Sequence, residues 1–514
     1  MALTRREMAQ EEKRLDNRRI LKNSAMLYLR TFLTMAVGLY TSRVVLEVLG
    51  VDDFGIYGLI GSLVILFNFF TNTLSSSLSR FFSFDIGSGD DAQLRKTFGA
   101  SMTLVLGVAL VILLITETAG IYVVNGLNIP EGSRTAAMWV YQFTVVTIIV
   151  NIVQVSFGAS LVAHEHMGTF AYLDILNTTL KLAAIFILKY VSACKLELYG
   201  FLVMMVMILV TSVSVIYCRH HFQECRSRLV FRWRDVRPIM SFSGWMLYKT
   251  VCDTSRVTTV NVLINLYFGV ALNAALAIAM NVGSNVLKFL SSVFLSFKPQ
   301  IVKAYAMQAF ANMQSLIVNA LKFSLSVQLI ICIPLIIEMP YILHLWLGDY
   351  PAYAVVFCRL IAVAMCVEVI MMILEFGINA TGRIMAYSLL HGTLILSIGL
   401  IAWLTLALGA PPASVYLVQI GVGVVCVAVD IFLLKRLVPQ LRIVPILKLF
   451  LRLAVIFLPV ALGSYYAGEW LVPEGFWRFI VVGSVDVVLG VAVVYAFILP
   501  ESARQAVRRK LHLG

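Results

Sequence analysis

Charge is what this chain has least of. Asp, Glu, Lys and Arg make up 13 % of its 514 residues, against 60 % hydrophobic residues, where soluble domains carry about a quarter charged residues. The shortage excludes an ordinary soluble domain and puts the chain in the membrane class. Other absences narrow the function. No G-x-x-x-x-G-K-[ST] loop occurs, so the chain shows no ATPase engine of its own. No Ser/His/Asp spacing suggests a hydrolase, and the chain is expected not to be an enzyme. The eight cysteines form no CxxC pair. Cys252, Cys332, Cys358, Cys366 and Cys426 lie in apolar runs and read as small buried side chains. His164-Glu165-His166 sits at i,i+2 on a short loop and reads as solvated, so no metal is expected. Residues 1–22 are polar and basic (Arg5, Arg6, Lys13, Arg14, Arg18, Arg19, Lys22) with no apolar core or cleavage site after them. They read either as a short amphipathic helix on anionic headgroups or as a frayed tail.

What the chain has in abundance is long apolar runs. At about 20 residues per crossing, about fourteen spans fit, near 23–49, 57–84, 97–124, 136–160, 167–190, 197–218, 239–267, 271–297, 314–338, 352–378, 385–409, 413–434, 446–467 and 477–499. The connections alternate in charge. Those after odd-numbered spans carry few cations. Those after even-numbered spans hold Arg95 and Lys96, then Arg219, Arg226, Arg228, Arg232, Arg234 and Arg237, then Lys298 and Lys303, Arg383, and Lys435, Arg436 and Arg442; only the loop after span four, AHEHMG, lacks Lys and Arg. By the positive-inside rule both termini are cytoplasmic. The net charge of +13 is thereby assigned to topology and the anionic inner leaflet, and nucleic acid is not an expected partner. The outward connections are short, about 15 residues or fewer, in the range of ordinary loops. That favours a carrier over a glycan-processing enzyme.

The spans are not apolar all round. Arg30, Thr34, Gly38 and Thr41 share one face of span one, and Asn68, Asn72, Ser76 and Ser79 one face of span two. Asp174, Asn177, Thr178 and Lys181 do so on span five. Lys249, Asp253 and Arg256 cluster on span seven, Asn281, Asn285, Lys288 and Ser292 on span eight, and Glu368 and Glu375 on span ten. A charge near a helix centre costs about 2.5–3.5 kcal/mol in lipid, so these faces meet other helices, water or the interface. Lys249 and Asp253 at i,i+4 are spaced to pair within one helix. Arg30, Lys181 and Arg256 are left as surplus cations, which suits an anionic ligand such as a phosphate. Segments also echo across the chain: SAMLYLRT at 24–31 with SGWMLYKT at 243–250, Leu49-Gly50-Val51 with Phe268-Gly269-Val270, and LSSSLSRFFS at 74–83 with LSSVFLSFKP at 290–299. Such a parallel repeat puts a transport site between two halves. The expected organisation is a basic N-terminus (1–22), an N-lobe (23–218), a basic linker (219–238), a C-lobe (239–436), and two further helices with a basic tail (437–514).

The stretch LGVDDFGIYGLIGSL at 49–63, followed by the Ser-rich end of span two, resembles the start of bacterial polysaccharide flippases of the Wzx type. These share a superfamily with lipid II flippases and multidrug and toxic-compound extrusion (MATE) transporters. The resemblance implies an all-α polytopic membrane protein of two six-helix lobes in a V-shaped arrangement, plus two C-terminal helices. It implies a monomer of the bacterial inner membrane that flips an undecaprenyl-diphosphate-linked oligosaccharide, alongside polysaccharide polymerase and assembly proteins. On this expectation Arg30, Lys181, Lys249 and Arg256 hold the diphosphate, and Asn68, Asn72, Asn281 and Asn285 the glycan. Asp174, Asp253, Glu368 and Glu375 are the candidates for binding a coupling H+ or Na+, with no other cofactor. The alternative is an ion-coupled MATE-type exporter of drugs or other small molecules, which would want a negative or aromatic cavity.

Overall fold

A computed structural model of the chain describes residues 70–125, 131–190, 194–471 and 475–495, with scattered positions between 26 and 61. Every described position from 26 to 61 is helical. Thereafter the chain runs through α1 (70–88), α2 (Asp91–Ile115), α3 (Ile121–Asn125), α4 (Arg134–Ala163), α5 (Met167–Leu188), α6 (Lys195–His221) and α7 (Trp233–Ala306). It continues through α8 (Phe310–Ile337), α9 (Met339–Leu347), α10 (Ala354–Ala380), α11 (Met385–Ala407), α12 (Ser414–Leu437), α13 (Val444–Leu471) and α14 (Phe476–Val493). The described residues contain no strand. Backbone groups in hydrocarbon must be satisfied within their own segment, and helices do this. Among the described residues nine helices are long and apolar enough to cross a membrane. Their outer faces expose Leu110, Leu114, Ile216, Leu400 and Leu451, as a lipid-facing surface requires.

The long helix α7 takes in both the seventh and the eighth expected span. It is interrupted at Gly269, whose φ of 78° and ψ of −174° are not helical. Gly50, the glycine that the internal echo pairs with Gly269, also has a positive φ, 82°. A left-handed φ is costly for residues with a Cβ, so the two echoed segments share a backbone requirement as well as letters. The stretch 339–351, expected to be a plain loop, contains α9, started by Glu338 and Pro340 and ended at Gly348 with φ 71°.

Two compact units form. Unit 1 is Met1–Thr250 with Leu295–Gln308, and unit 2 is Val251–Phe294 with Ala309–Gly514. These differ from boundaries drawn along the chain. The 219–238 linker and the start of α7 belong to unit 1, and the last turns of α7 return to it. The cause is visible in their contacts. Lys298 donates to the Ser76 carbonyl at 3.1 Å. Lys303 and Gln300 reach Glu165 at 2.7 and 3.2 Å. Within unit 1, α4 packs on α2 and α6, and α5 on α6. Phe82 stacks on Phe98 at its core with ring centroids 5.7 Å apart, and Phe157 meets Phe98 edge to face at 5.6 Å. In unit 2, α10 packs on α8 and α12, and α13 and α14 lie against α8. Lipid tails are as apolar as leucine, so contact between membrane helices depends on close approach of small residues. Ser77, Ser83, Ser156, Ser160, Ser214 and Ser388 are fully buried.

The HEH triplet is a correction to the sequence reading. Only His166 is exposed; Glu165 pairs with Lys303 with its side chain 8 % exposed, and His164 meets Glu224 at 2.7 Å. A backbone turn with Glu165 at φ 62° folds the short loop back onto two other segments.

Candidate substrate and coupling site

In unit 1 the polar face of α5 meets Arg30. Asp174 accepts a hydrogen bond from Arg30 Nε at 2.7 Å, and the guanidinium lies over the Phe170 ring, 5.0 Å from its centroid. The ring covers one face of the cation while the carboxylate fixes its edge. One turn on, Thr178 donates to the Asp174 carbonyl at 2.9 Å, and half-buried Lys181 lies in electrostatic reach of the same carboxylate. Arg30 therefore has a carboxylate partner, contrary to its reading as surplus; the partner sits 144 residues away on another helix. Asp174 serves two cations, which leaves the cluster net positive.

Unit 2 contains the second arginine pair. Arg256 Nη2 donates to Glu368 Oε1 at 3.0 Å, beside the buried Tyr416 hydroxyl. Arg256 Nε makes no hydrogen bond among the described residues. In both pairs the carboxylate is the more exposed member. Asp174 is 41 % exposed against 23 % for Arg30, and Glu368 23 % against 13 % for Arg256.

Two turns along α10 from Glu368, Glu375 starts a buried polar chain. Tyr387 donates to Glu375 Oε2 at 3.3 Å, and Asn379 Nδ2 to Oε1 at 3.2 Å. The Tyr387 and His391 rings lie 5.0 Å apart on α11, and His391 Nδ1 meets Asp430 Oδ1 of α12 at 3.0 Å. Asp253 is close enough to Tyr387 to act on it electrostatically. Asp253 and Glu375, expected as ion ligands, thus belong to one group with Tyr387, His391 and Asp430. Sequence reasoning missed the last three. Asp430 is the acidic residue of an otherwise apolar span, and a lone carboxylate of that kind is a sequence signal for a functional site.

The remaining candidates divide. Asn72 of unit 1 and Asn281 and Asn285 of unit 2 are exposed, while Asn68 lies outside the described residues. Lys249 is half-buried and falls in unit 1, whereas Asp253 and Arg256 fall in unit 2. Thr254, Thr258 and Asn265 are exposed on the first limb of α7, with Asn261 half-buried between them. Together with Asn281 and Asn285 they give both limbs a hydrogen-bonding face that is incompatible with lipid. The sequence reading did not single out Thr254, Thr258, Asn261 or Asn265. Their 4-3-4 spacing carries the signal. Arg80 was also missed: buried in unit 1, it lies over Phe81, Phe84 and Phe242, 4.8 to 5.6 Å from the ring centroids.

No family model and no curated relative matches the sequence. Solved structures do match. An outward-facing multidrug-resistance MATE transporter of the MOP superfamily aligns with a TM-score of 0.69 at 12 % identity, over 82 % of this chain and 96 % of that one. A MOP-superfamily transporter from Pyrococcus furiosus, described as having a binding pocket of reverse polarity that suggests a different function, aligns at 0.68 and 12 % over the same shares. A MATE protein in its bent conformation aligns at 0.72 and 12 %, again over 82 % and 96 %. At such identities the likeness speaks for architecture, and on that evidence the chain has the fold of the MATE-family transporters.

Proposed function

We propose that this protein is a transporter that flips a diphosphate-linked lipid oligosaccharide of the undecaprenyl type across the bacterial inner membrane, with both termini cytoplasmic. The observation that carries the reading is the pair of arginines on polar membrane-helix faces, Arg30 with Asp174 and Arg256 with Glu368. Lys181 adds further positive charge near Asp174, and Asn281 and Asn285 offer amide groups to sugar hydroxyls. The carboxylates hold the guanidinium groups in place until a phosphate competes for them. A proton taken up by Asp174 or Glu368 removes that competitor and frees the arginine fork for phosphate oxygens. The chain Glu375–Tyr387–His391–Asp430, with Asp253 nearby, is the proposed second place for a coupling H+ or Na+. The prenyl tail stays in the bilayer while the headgroup crosses by alternating access.

One observation favours a second reading, ion-coupled export of a cationic small molecule. In both arginine pairs the carboxylate is the more exposed partner, and the matched structures include a multidrug-resistance transporter. Deletion of the gene separates the two. The flippase reading expects lipid-linked oligosaccharide to accumulate on the cytoplasmic face, with drug tolerance unchanged. Normal glycan export with new sensitivity to cationic drugs would establish the exporter instead.

A further inference from the structure

The connection between α6 and α7 is short, residues 222–232, and both helices it joins carry long apolar runs. It is fastened to unit 1 at several points. Phe222 stacks flat on His164 at 4.2 Å. Glu224 accepts hydrogen bonds from Ser160 at 2.9 Å and from His164 at 2.7 Å. Arg226 donates to the Arg219 and His220 carbonyls at the end of α6, and the Val230 amide donates to the Gly99 carbonyl. A Cβ at Gly99 would collide with the Arg228 carbonyl oxygen, so this part of the linker lies directly on α2. Beyond it, Val236 and Ile239 of α7 are buried in the same core as Phe222 and Cys225.

The outer side of this fixed segment is unlike its inner side. Arg228, Arg232, Arg234 and Arg237 are all exposed. Among the described residues none of the four donates a side-chain hydrogen bond or pairs with a carboxylate. Between and beside them Phe231 is 76 % exposed, Trp233 60 % and Leu229 43 %. A fixed backbone holding four guanidinium groups without a partner among the described residues, beside exposed aromatic and aliphatic side chains, has already met the ordering cost of binding. Phosphate is the partner whose geometry the guanidinium fork fits, and aromatic rings favour the headgroup level of a bilayer. The segment is tied to a bilayer surface, because α6 ends at His221 and the apolar run of α7 begins at Ile239.

We infer that residues 228–237 form a docking surface for the phosphate headgroups of anionic phospholipids, with Leu229, Phe231 and Trp233 seated at the boundary between headgroups and acyl chains. The surface anchors unit 1 to one bilayer face and is independent of what the protein carries.

The test uses the full-length protein with its native cysteines replaced and Phe231→Cys carrying a fluorophore, reconstituted in phosphatidylcholine vesicles. Quenching is compared for headgroup-spin-labelled phosphatidylglycerol and headgroup-spin-labelled phosphatidylcholine, each at the same low fraction. An arginine beside an anionic surface contributes about 1 kcal/mol, or about fivefold in local concentration. Quenching should therefore report at least about fivefold enrichment of the phosphatidylglycerol, weakened by salt. Arg228→Gln, Arg232→Gln, Arg234→Gln and Arg237→Gln combined should bring the ratio close to one. The four Lys substitutions should keep most of it, which guards against a fold defect. Equal quenching by the two lipids in the parent, or an unchanged ratio in the Gln variant, would overturn the proposal. So would loss of a bound acidic protein from the Gln variant with the lipid ratio intact.

Discussion

Glu224 is 4 % exposed, yet its carboxyl group lies below its ordinary value. Burial alone pushes it up, but hydrogen bonds from His164 and Ser160, with the charge of His164, more than offset that. An acid whose folded value is depressed contributes stability above its unfolded value of about 4.3 and loses it as pH falls through the folded value. The linker should therefore come away from the rest of unit 1 as pH falls through the folded value, read as proteolytic nicking between 226 and 232. Glu224→Ala should lower thermal stability in detergent by about 1–3 kcal/mol at neutral pH, as expected when buried donors lose their acceptor. A variant as stable and as protease-resistant as the parent would show that the linker is held by packing alone. The same scale shows where sequence reading stops. Helical periodicity put Asp174, Asn177, Thr178 and Lys181 on one face, and the structure has them there. Periodicity does not say which face meets which, so the partner of Arg30 was invisible. His391 and Asp430 were invisible as a pair for the same reason, lying 39 residues apart on different helices.

At the scale of elements, the extra pair α13 and α14 is joined to unit 2 by more than apolar contact. Arg478 Nε donates to Glu338 Oε1 at 3.0 Å, with side chains 8 % and 5 % exposed. Ser464 of α13 bonds to buried Asp486 of α14. Breaking a buried pair by removing one partner costs about 3–5 kcal/mol, whereas replacing both with apolar residues of similar size is often neutral. Glu338→Ala should thus release α14 and lower the unfolding temperature sharply. Glu338→Leu with Arg478→Met should restore most of the loss. Single and double variants that melt alike would mean that the pair plays no part in docking these helices. The helices themselves were legible in the sequence because a run of about 20 apolar residues has few other uses. The break at Gly269 was legible too, as the 268–270 connection between spans seven and eight. The return of the last turns of α7 to unit 1 was not. Lys298 and Lys303 were read as loop cations, and only their contacts with Ser76 and Glu165 show them as part of a packed helix end.

For the whole molecule we propose that Arg30 of unit 1 and Arg256 of unit 2, each held by a carboxylate, are released by it to bind phosphate. The MATE-type fold supplies the architecture, and the stretch at 49–63 resembles the start of proteins of that superfamily. Charge pattern alone leaves the substrate open, because each arginine comes with an acid. Phosphate and cationic ligands thus compete as readings of the same pair. The most direct measurement is transbilayer movement of a lipid-diphosphate oligosaccharide in vesicles containing the purified protein, followed with an impermeant glycosidase. The parent should speed movement well beyond protein-free vesicles. Arg30→Ala and Arg256→Ala should each abolish most of that gain at equal incorporation. Arg256→Lys should recover only part, since a point charge lacks the forked contact. Movement at the parent rate in the Arg30→Ala, Arg256→Ala double variant, or no movement in the parent alongside proton-driven export of a cationic dye, would contradict the account.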